Sequence, residues 1–335
     1  MLSDKILDVC AYHRRDFDLV LVRSRPHDTQ AVLASLQNAC QACPASSLGS
    51  LDSLPTELLC IILRDLDVLS YFQFRHVNRR ACALATTAHE YQSVARHGLE
   101  GLRGLLRAGL APLFTMGDLY SPLIREECVL CGSFGGFLFL PTVTRCCIAC
   151  IQTSPDLRVM CTSTFSRLAK ISTRRLRRVL GSELRTVPGS YSMLDKRTRR
   201  PKHLIAVQTA TAKLEQLGIL DQDRSRALLS WDEQEGRQFM ASTAFPWYDP
   251  HNGQVDDGIS CKGCQVRFEN RLEVGVADDR DRVFSRSSYL SHFQSCTEAQ
   301  ELWTQSEGGT KAVWEPEFTR RGGFFNELDS DGLPR

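Results

Sequence analysis

Pairs of cysteines separated by two residues are the part of this chain whose spacing most directly indicates chemistry. Cys128 and Cys131 form one pair, and Cys147 and Cys150 form a second pair after an apolar stretch. A two-residue gap lets both sulfurs of a tight turn reach one ion, and four thiolates are a tetrahedral ligand set that structural zinc prefers. The spacing therefore predicts a four-cysteine zinc site whose intervening residues form short ribbon strands.

One member of this ligand set is ambiguous, because Cys146 adjoins Cys147 and could be the ligand in its place. Only Cys147 keeps the two-residue gap to Cys150, which favours Cys147. The rival interpretation is a group of buried free thiols, which behave as small apolar side chains. The interpretation as a redox site has even less support than that of free thiols, because a redox site needs a single pair ahead of a helix.

A second metal site is predicted downstream. Cys261 and Cys264 form another pair, and His292 and Cys296 lie four residues apart, so that one helix face would carry both. The 27 residues between Cys264 and His292 exceed the roughly 12 of a compact finger, so we expect a charged, looped-out insertion at residues 273–287. Four protein ligands leave no open position, so such a site stabilises a fold and does not catalyse.

The elements that accompany these sites begin with residues 51–80, which read LDSLPTELLCIILRDLDVLSYFQFRHVNRR. Pro55 suits a first helical position, because its missing N–H would have no partner in the helix. A second short helix is predicted at residues 68–75, and Asn78 can cap a third. Three short helices bury little apolar area alone, so their leftover surface should contact a partner. The apolar stripe of the first helix consists of Leu58, Leu59, Ile62, Leu63 and Leu66, widened by Ile61.

This order of a Leu-Pro pair, an apolar helix, a Leu-Asp break and a Val-Asn-Arg-Arg exit resembles the F-box. The resemblance covers about 45 of the 335 residues, and it implies a three-helix module that docks on the Skp adaptor of a cullin-RING ubiquitin ligase. The rival interpretation is an ordinary helical hairpin packed on the rest of the chain. The residues that the resemblance places at the adaptor are Leu54, Pro55, Leu58, Leu59, Ile61, Ile62, Leu66, Leu69 and Val77.

A looser similarity concerns the cysteine-rich part of the chain. The sequence FGGFLFLP with its CC-x-x-C ending, and YLSHF with the cysteine that follows, are similar to fungal F-box proteins that carry a Cys-rich C-terminal region. This similarity names no target protein. The WD and Leu-rich repeats with which other F-box receptors bind their substrates are absent from the sequence.

Composition limits the remaining functions. The net charge is only +2, and hydrophobic residues make up 42% of the chain, which is enough for real cores. We expect no signal peptide and no membrane span, and therefore a soluble protein of the cytoplasm, the nucleus or both. Fourteen cysteines in a reducing compartment point to metal rather than disulfides. A third pair, Cys40 and Cys43, has no obvious partner and is interpreted as structural or accidental.

Residues 158–203 form the most basic stretch, with thirteen Lys and Arg against two acids. Such a stretch can be a nuclear-import signal, a partner surface or a solvated face. Aromatic side chains that would stack on bases are scarce here, with Tyr191 alone between the two basic clusters. Nucleic acid is therefore an unlikely partner on this reasoning.

The sequence shows no phosphate-binding loop, nucleophile elbow or metalloprotease motif, so we expect a non-catalytic protein. The predicted fold is mainly α, with a three-helix F-box followed by a helical, Cys-rich region that contains small zinc-stapled β/α modules. We expect an F-box substrate receptor; a zinc-binding nucleic-acid-associated protein and an F-box scaffold outside a ligase are the alternatives. The predicted divisions are an N-terminal extension and linker 1–50, F-box 51–97, helical connector 98–126, four-cysteine module 127–151, basic then helical region 152–255, Cys-His module 256–303 and flexible tail 304–335.

Overall fold

The protein is mainly helical, as the sequence predicts. A computed structural model describes residues 2–19, 33–37, 46–181, 183–191, 196–231, 236–271 and 276–323, so that Cys40 and Cys43 lie outside the described residues. Within these ranges, no helix is both long enough and apolar enough to cross a bilayer.

Short helices alternate with very short strands along the chain. The labelled helices are α1 Leu2–Cys10, α2 Thr56–Asp65, α3 Val68–Arg75, α4 Arg79–Ala85, α5 His89–His97, α6 Leu99–Ala108, α7 Met116–Leu123, α8 Ile148–Thr153, α9 Thr162–Ala169, α10 Thr173–Leu180, α11 Val207–Gln216, α12 Gln222–Ser230, α13 Lys262–Arg271, α14 Val276–Asp281, α15 Arg286–Phe293, α16 Thr297–Gln305 and α17 Glu317–Arg320. The strands are β1 Ala11–Tyr12, β2 Phe137–Phe139, β3 Thr144–Cys146, β4 Val159–Cys161, β5 Leu184–Arg185, β6 Gly189–Tyr191, β7 Lys196–Thr198, β8 His203–Ala206, β9 Ser242–Ala244, β10 Trp247–Asp249, β11 Gln254–Asp256 and β12 Ser260–Cys261.

Side-chain caps mark the starts of α3 and α4, and a proline marks the start of α2. Asp67 caps α3 by accepting a hydrogen bond from the Ser70 amide at 2.9 Å. Asn78 caps α4 by accepting one from the Ala81 amide, also at 2.9 Å, which confirms the predicted cap. Pro55 takes the N-cap position of α2, with φ −55° and ψ 148°, one residue before the position predicted for it.

These three helices share one hydrophobic core with the helices that follow. Leu63 and Tyr71 belong to this buried cluster, and the Tyr71 ring stacks on Tyr91 of α5 with the ring centroids 5.5 Å apart. Helix α6 lies so close to the residue after β9 that a Cβ on Gly101 would stand 2.5 Å from the Phe245 ring. The rest of the chain therefore packs directly against the three-helix module.

The four-cysteine module includes a strand that the sequence assigned elsewhere. Strands β2 and β3 pair antiparallel, with Phe137 opposite Cys146, as a ribbon between the two cysteine pairs would. Strand β9 pairs with the other edge of β2 and sets Ala244 opposite Phe137. The predicted boundary after residue 151 is therefore wrong, because pairing between distant strands leaves no local signal in the sequence.

Residues 158–231 have a hydrophobic cluster of their own. Strands β4, β8 and β5 form an antiparallel sheet in that order, and helices α9 to α12 pack around it. Helices α11 and α12 lie in the region predicted to be basic and then helical, whereas the sheet was not predicted. The buried residues at the centre include Met160, Phe165, Leu176, Ile205 and Leu214.

The N-terminal residues belong to the last module of the chain. Helix α1 packs against α16, and β1 pairs with β12, which sets Ala11 opposite Cys261. The prediction of an extension and linker at residues 1–50 is therefore wrong for residues 2–19.

The residues after α16 pack against the same N-terminal segment. Phe318 of α17 is buried, and the Arg14 guanidinium lies 5.3 Å from the centroid of its ring. Lys262 forms an ion pair with Glu315. The prediction of a flexible tail is therefore wrong for residues 304–323. It rested on their Gly-rich and charged composition, although a few side chains of this segment anchor it to the rest of the protein.

Candidate metal centres and docking face

The four-cysteine cluster consists of Cys128, Cys131, Cys147 and Cys150, and the structure brings all four predicted residues together. Their sulfurs lie within 4.8 Å of one another. Cys128 and Cys131 sit on a tight turn closed by the Gly132 amide, which donates to the Cys128 carbonyl at 2.9 Å, and Gly132 has a positive φ of 75°. Cys147 precedes α8, and its sulfur accepts from the Cys150 amide at 3.4 Å. A turn and a helix start thus face each other.

Cys146 points away from this cluster. Its side chain is fully buried, and its sulfur lies 3.8 Å from the carbonyl oxygen of Phe137 across the β2–β3 ribbon. Burial raises the pKa of this thiol well above its usual value. The two neighbouring cysteines therefore face opposite ways, and Cys147 is the one that lies among the other three sulfurs.

The Cys-His cluster consists of Cys261, Cys264, His292 and Cys296, whose ligand atoms also lie within 4.8 Å of one another. Cys261 ends β12, Cys264 lies in the first turn of α13, His292 in the last turn of α15, and Cys296 caps α16. The Cys264 sulfur is 3.4 Å from Nε2 of His292, and the Cys261 and Cys296 sulfurs are 3.8 Å apart. Three helix ends and a strand end thus converge on one point.

The predicted insertion between Cys264 and His292 is packed where the structure describes it. Residues 276–281 form α14, and Phe284 pairs with Ile259 through a β-bridge whose two amide–carbonyl bonds measure 2.8 and 2.9 Å. The Phe284 ring stacks on His292 with centroids 4.5 Å apart. The expectation of a looped-out segment is therefore wrong for these residues, because one aromatic in a charged stretch is enough to anchor it.

The surroundings of the Cys-His cluster include a residue that the sequence reading did not assign to it. Cys10 is fully buried in the same hydrophobic cluster as Cys261 and Cys296. The Tyr289 hydroxyl donates to the Cys10 carbonyl at 2.6 Å and lies 3.6 Å from the Cys261 sulfur. No spacing rule connects Cys10 to a partner some 250 residues away, so no pattern in the sequence could have assigned it to this cluster.

The ligand geometry suits a tetrahedral metal ion. An ion with metal–sulfur bonds of about 2.3 Å spaces its sulfurs at about 3.8 Å, and the sulfurs of Cys131 and Cys147 are 3.5 Å apart. Hydrogen bonding from Cys147 lowers the pKa of Cys128 to about 4, and the same bond raises the pKa of Cys147. Thiols packed this closely cannot all ionise by themselves, whereas a divalent cation supplies the charge that lets them do so. Both clusters can therefore hold a metal ion.

The apolar residues of α2 divide between two faces. Leu59 and Leu63 are 5% and 3% exposed and point into the core, whereas Leu58, Ile61 and Ile62 are 47%, 54% and 44% exposed. We call these three exposed residues the docking face. The predicted contact of Leu59 with a partner is therefore corrected, because its side chain already packs inside the protein.

The other residues predicted to contact a partner surround this face or lie near the following helices. Leu69 and Val77 are 37% and 67% exposed, Pro55 is exposed, and Leu54 and Leu66 are half-buried. Leu51, which the sequence analysis did not select, is 39% exposed in the turn that leads into α2. Its position three residues before the Leu-Pro pair is the feature of the sequence by which it could have been selected.

Comparison with known families agrees with this arrangement. A family model described as the F-box domain matches residues 51–92, which run from the turn before α2 into α5. No curated protein and no solved structure matches the chain. The matched segment contains the docking face and its buried support, Leu59 and Leu63. Residues 51–92 are therefore the part of this chain that matches the F-box domain.

Proposed function

We propose that this protein is a substrate receptor of a cullin-RING ubiquitin ligase. In this proposal the F-box docks on the Skp adaptor, and the region after the F-box recruits a target protein. The docking face is the observation that carries the proposal. Three large aliphatic side chains stand next to one another on α2, each 44–54% exposed, and apolar surface of this kind marks an interaction site.

The proposed role in ubiquitination is non-catalytic. A receptor of this type contributes by holding a target lysine near a ubiquitin carrier that other subunits supply, which is catalysis by proximity. The F-box shares its core with α5 and α6, so a target bound elsewhere on the chain would be held at a fixed orientation to the adaptor. This rigid connection is what a proximity mechanism requires.

We also propose that both clusters hold structural zinc. Four sulfurs in one case, and three sulfurs with one imidazole in the other, are ligand sets that zinc prefers over harder cations. Each cluster already supplies four protein ligands, which leaves no position for a substrate. Zinc in these places would stabilise the fold of the recruiting region.

Co-expression with the Skp adaptor tests the docking proposal. We expect the wild-type protein to elute with the adaptor as one stoichiometric complex, and Ile62→Glu to abolish it, because the substitution places a charge in an apolar contact. A single hot spot of this kind is worth at least about 2 kcal/mol, or at least roughly 30-fold in affinity.

Leu217→Glu provides the matched control, because Leu217 is 55% exposed at the end of α11, outside the F-box. This variant should bind the adaptor as the wild type does. Adaptor binding that survives Ile62→Glu, or that is lost equally with Leu217→Glu, would contradict docking through α2.

A further inference from the structure

Helices α9 and α10 form a helix-turn-helix within the basic part of the chain. Only residues 170–172 separate the two helices, and Lys170 turns the chain sharply with a φ of 54°. Ser172 caps α10 by accepting from the Arg175 amide at 3.3 Å. Leu176 is fully buried, in the same hydrophobic cluster as Phe165 of α9. A turn of this length also joins the two helices of the DNA-binding helix-turn-helix, whose second helix reads the duplex.

The second helix presents an outer face made of arginine. Because Leu176 points inward, Arg174, Arg175, Arg177 and Arg178 are all exposed. Arg177 forms an ion pair with Glu183. Arg174, Arg175 and Arg178 form no ion pair with any residue that the structure describes. This helix therefore carries several uncompensated positive charges on one surface.

A basic hairpin follows this helix directly. Strands β5 and β6 pair with β8 and β7, so that residues 184–191 and 196–206 run antiparallel. Arg185, Arg199 and Arg200 are exposed on it. Glu183 connects the hairpin to α10, since its carboxylate pairs with Arg177 and lies 3.5 Å from Nδ1 of His203 in β8. The sheet thus fixes the arginine helix beside a second basic element.

Charge is strongly segregated along the chain. Residues 158–231 contain sixteen Lys and Arg against five Asp and Glu, a net charge of +11, whereas the whole chain has +2 and its remainder therefore −9. A compact unit of this charge repels itself and attracts polyanions. Arginine suits phosphate in particular, because its planar fork donates two parallel hydrogen bonds.

We propose that residues 158–231 bind double-stranded DNA, with α10 in the major groove and its arginines on phosphate oxygens. The scarcity of aromatic residues, which weighed against nucleic acid in the sequence, argues only against single strands, whose bases need stacking partners. A duplex presents its phosphates on the outside and admits a helix into its groove. The binding is largely independent of base sequence, and it does not depend on the F-box or its adaptor.

Fluorescence anisotropy of a labelled 30-base-pair duplex of mixed sequence, titrated with the full-length protein at several salt concentrations, tests this proposal. We expect the logarithm of the affinity to fall with the logarithm of the salt concentration at a slope of about −0.9 for each neutralised phosphate, and about −4 overall. Arg174→Gln with Arg178→Gln should weaken binding at least about tenfold and make the slope about 1.8 units shallower.

The matched control is Arg224→Gln with Arg226→Gln, which removes two positive charges from α12 of the same unit. These arginines pair with Asp221 and Asp223 at 3.3 and 2.7 Å, so their loss should leave the affinity within about twofold. Melting temperatures of both variants equal to that of the wild type establish that they fold.

Several results would overturn the proposal: no binding at 50 mM salt, equal weakening by the two pairs of substitutions, or tighter binding to a single strand than to the duplex. Poly-glutamate that displaces the duplex at equal charge concentration would also overturn it, since the surface would then suit an acidic protein rather than DNA.

Discussion

The two candidate metal centres share one local motif and differ in what surrounds them. In each, a Cys-x-x-Cys pair leads into a helix, and the first sulfur accepts a hydrogen bond from the amide of the second cysteine at 3.4 Å. The four-cysteine cluster lies within residues 128–150 and is closed by a tight turn. The Cys-His cluster is packed against α1 and β1 and lies in the module that residues 304–323 also join.

Because of this difference, the two clusters should stabilise different parts of the fold. A cluster whose ligands are close in sequence can form locally, since little chain entropy is lost in closing the loop. The Cys-His cluster instead lies where segments from near both ends of the chain meet, so its assembly depends on distant contacts. Loss of the first metal should therefore disturb one ribbon, whereas loss of the second should release distant segments as well.

The largest expected effect comes from removing each cluster in turn. Cys261→Ser with Cys264→Ser should lose one zinc ion per chain and raise hydrogen exchange throughout residues 2–12, because α1 and β1 pack on that cluster. Structural zinc contributes on the order of 10 kcal/mol in small modules, comparable to the whole stability of a domain. Metal analysis and hydrogen-exchange mass spectrometry measure the two quantities.

Cys128→Ser with Cys131→Ser is the counterpart of that experiment. It should also lose one zinc ion, yet leave α1 and β1 (residues 2–12) protected from exchange, because these two elements pack on the other cluster. Equal exposure of the N-terminal segment in both variants would show that the two clusters are not separate in the way the structure implies. Wild-type protein purified without chelator that contains no zinc would reject both sites.

A pair of glycines provides a smaller test of the same difference. A Cβ on Gly263, between the two cysteines of its pair, would stand 2.3 Å from the Ala299 amide nitrogen of α16. Gly132 has free space around it but a φ of 75°. We expect Gly263→Ala to cost about 3 kcal/mol, because it separates two helices that carry ligands, and Gly132→Ala to cost about 1 kcal/mol from local strain.

Chemical denaturation with zinc release as a second probe measures this order. Greater loss in Gly132→Ala than in Gly263→Ala would contradict the close approach of α13 and α16. The comparison is informative because both substitutions add the same single methyl group next to a ligand pair.

The sequence was sufficient where the determinants are local. The cap at Asn78, the bounds of α3, and the residues that meet in both clusters all follow from spacing over a few positions. It was insufficient for Leu59, because a short helix with apolar residues on two faces does not reveal which face is buried. It was also insufficient for β9 and Cys10, whose partners are set by tertiary contacts across most of the chain.

Cys146→Ala examines the choice between neighbouring cysteines, with a smaller effect. The substitution removes one buried sulfur outside the cluster, so it should retain the full zinc content and cost about 1 kcal/mol through a small cavity. Cys147→Ser should lose one zinc ion. Zinc content measured on both variants decides the matter, and loss of zinc from Cys146→Ala with retention in Cys147→Ser would reverse the assignment.

The smallest expected effect concerns His13, which helps to hold the N-terminal segment beside the Cys-His cluster. Its Nε2 lies 3.0 Å from an Asp18 carboxylate oxygen and its Nδ1 lies 3.3 Å from the Gly258 carbonyl. The hydrogen bond to Asp18 raises the pKa of His13 above its usual value, so the protonated form favours the folded state.

This contribution of His13 to stability is complete below the unfolded pKa of about 6.5 and is lost as the pH rises through the higher folded pKa. Hydrogen exchange of residues 2–19 should therefore become faster in the wild type as the pH rises above about 6.5, beyond the intrinsic pH dependence, whereas His13→Gln should show only the intrinsic change. Equal pH profiles for the two proteins would leave strand pairing and α1 packing as the sole attachment of this segment.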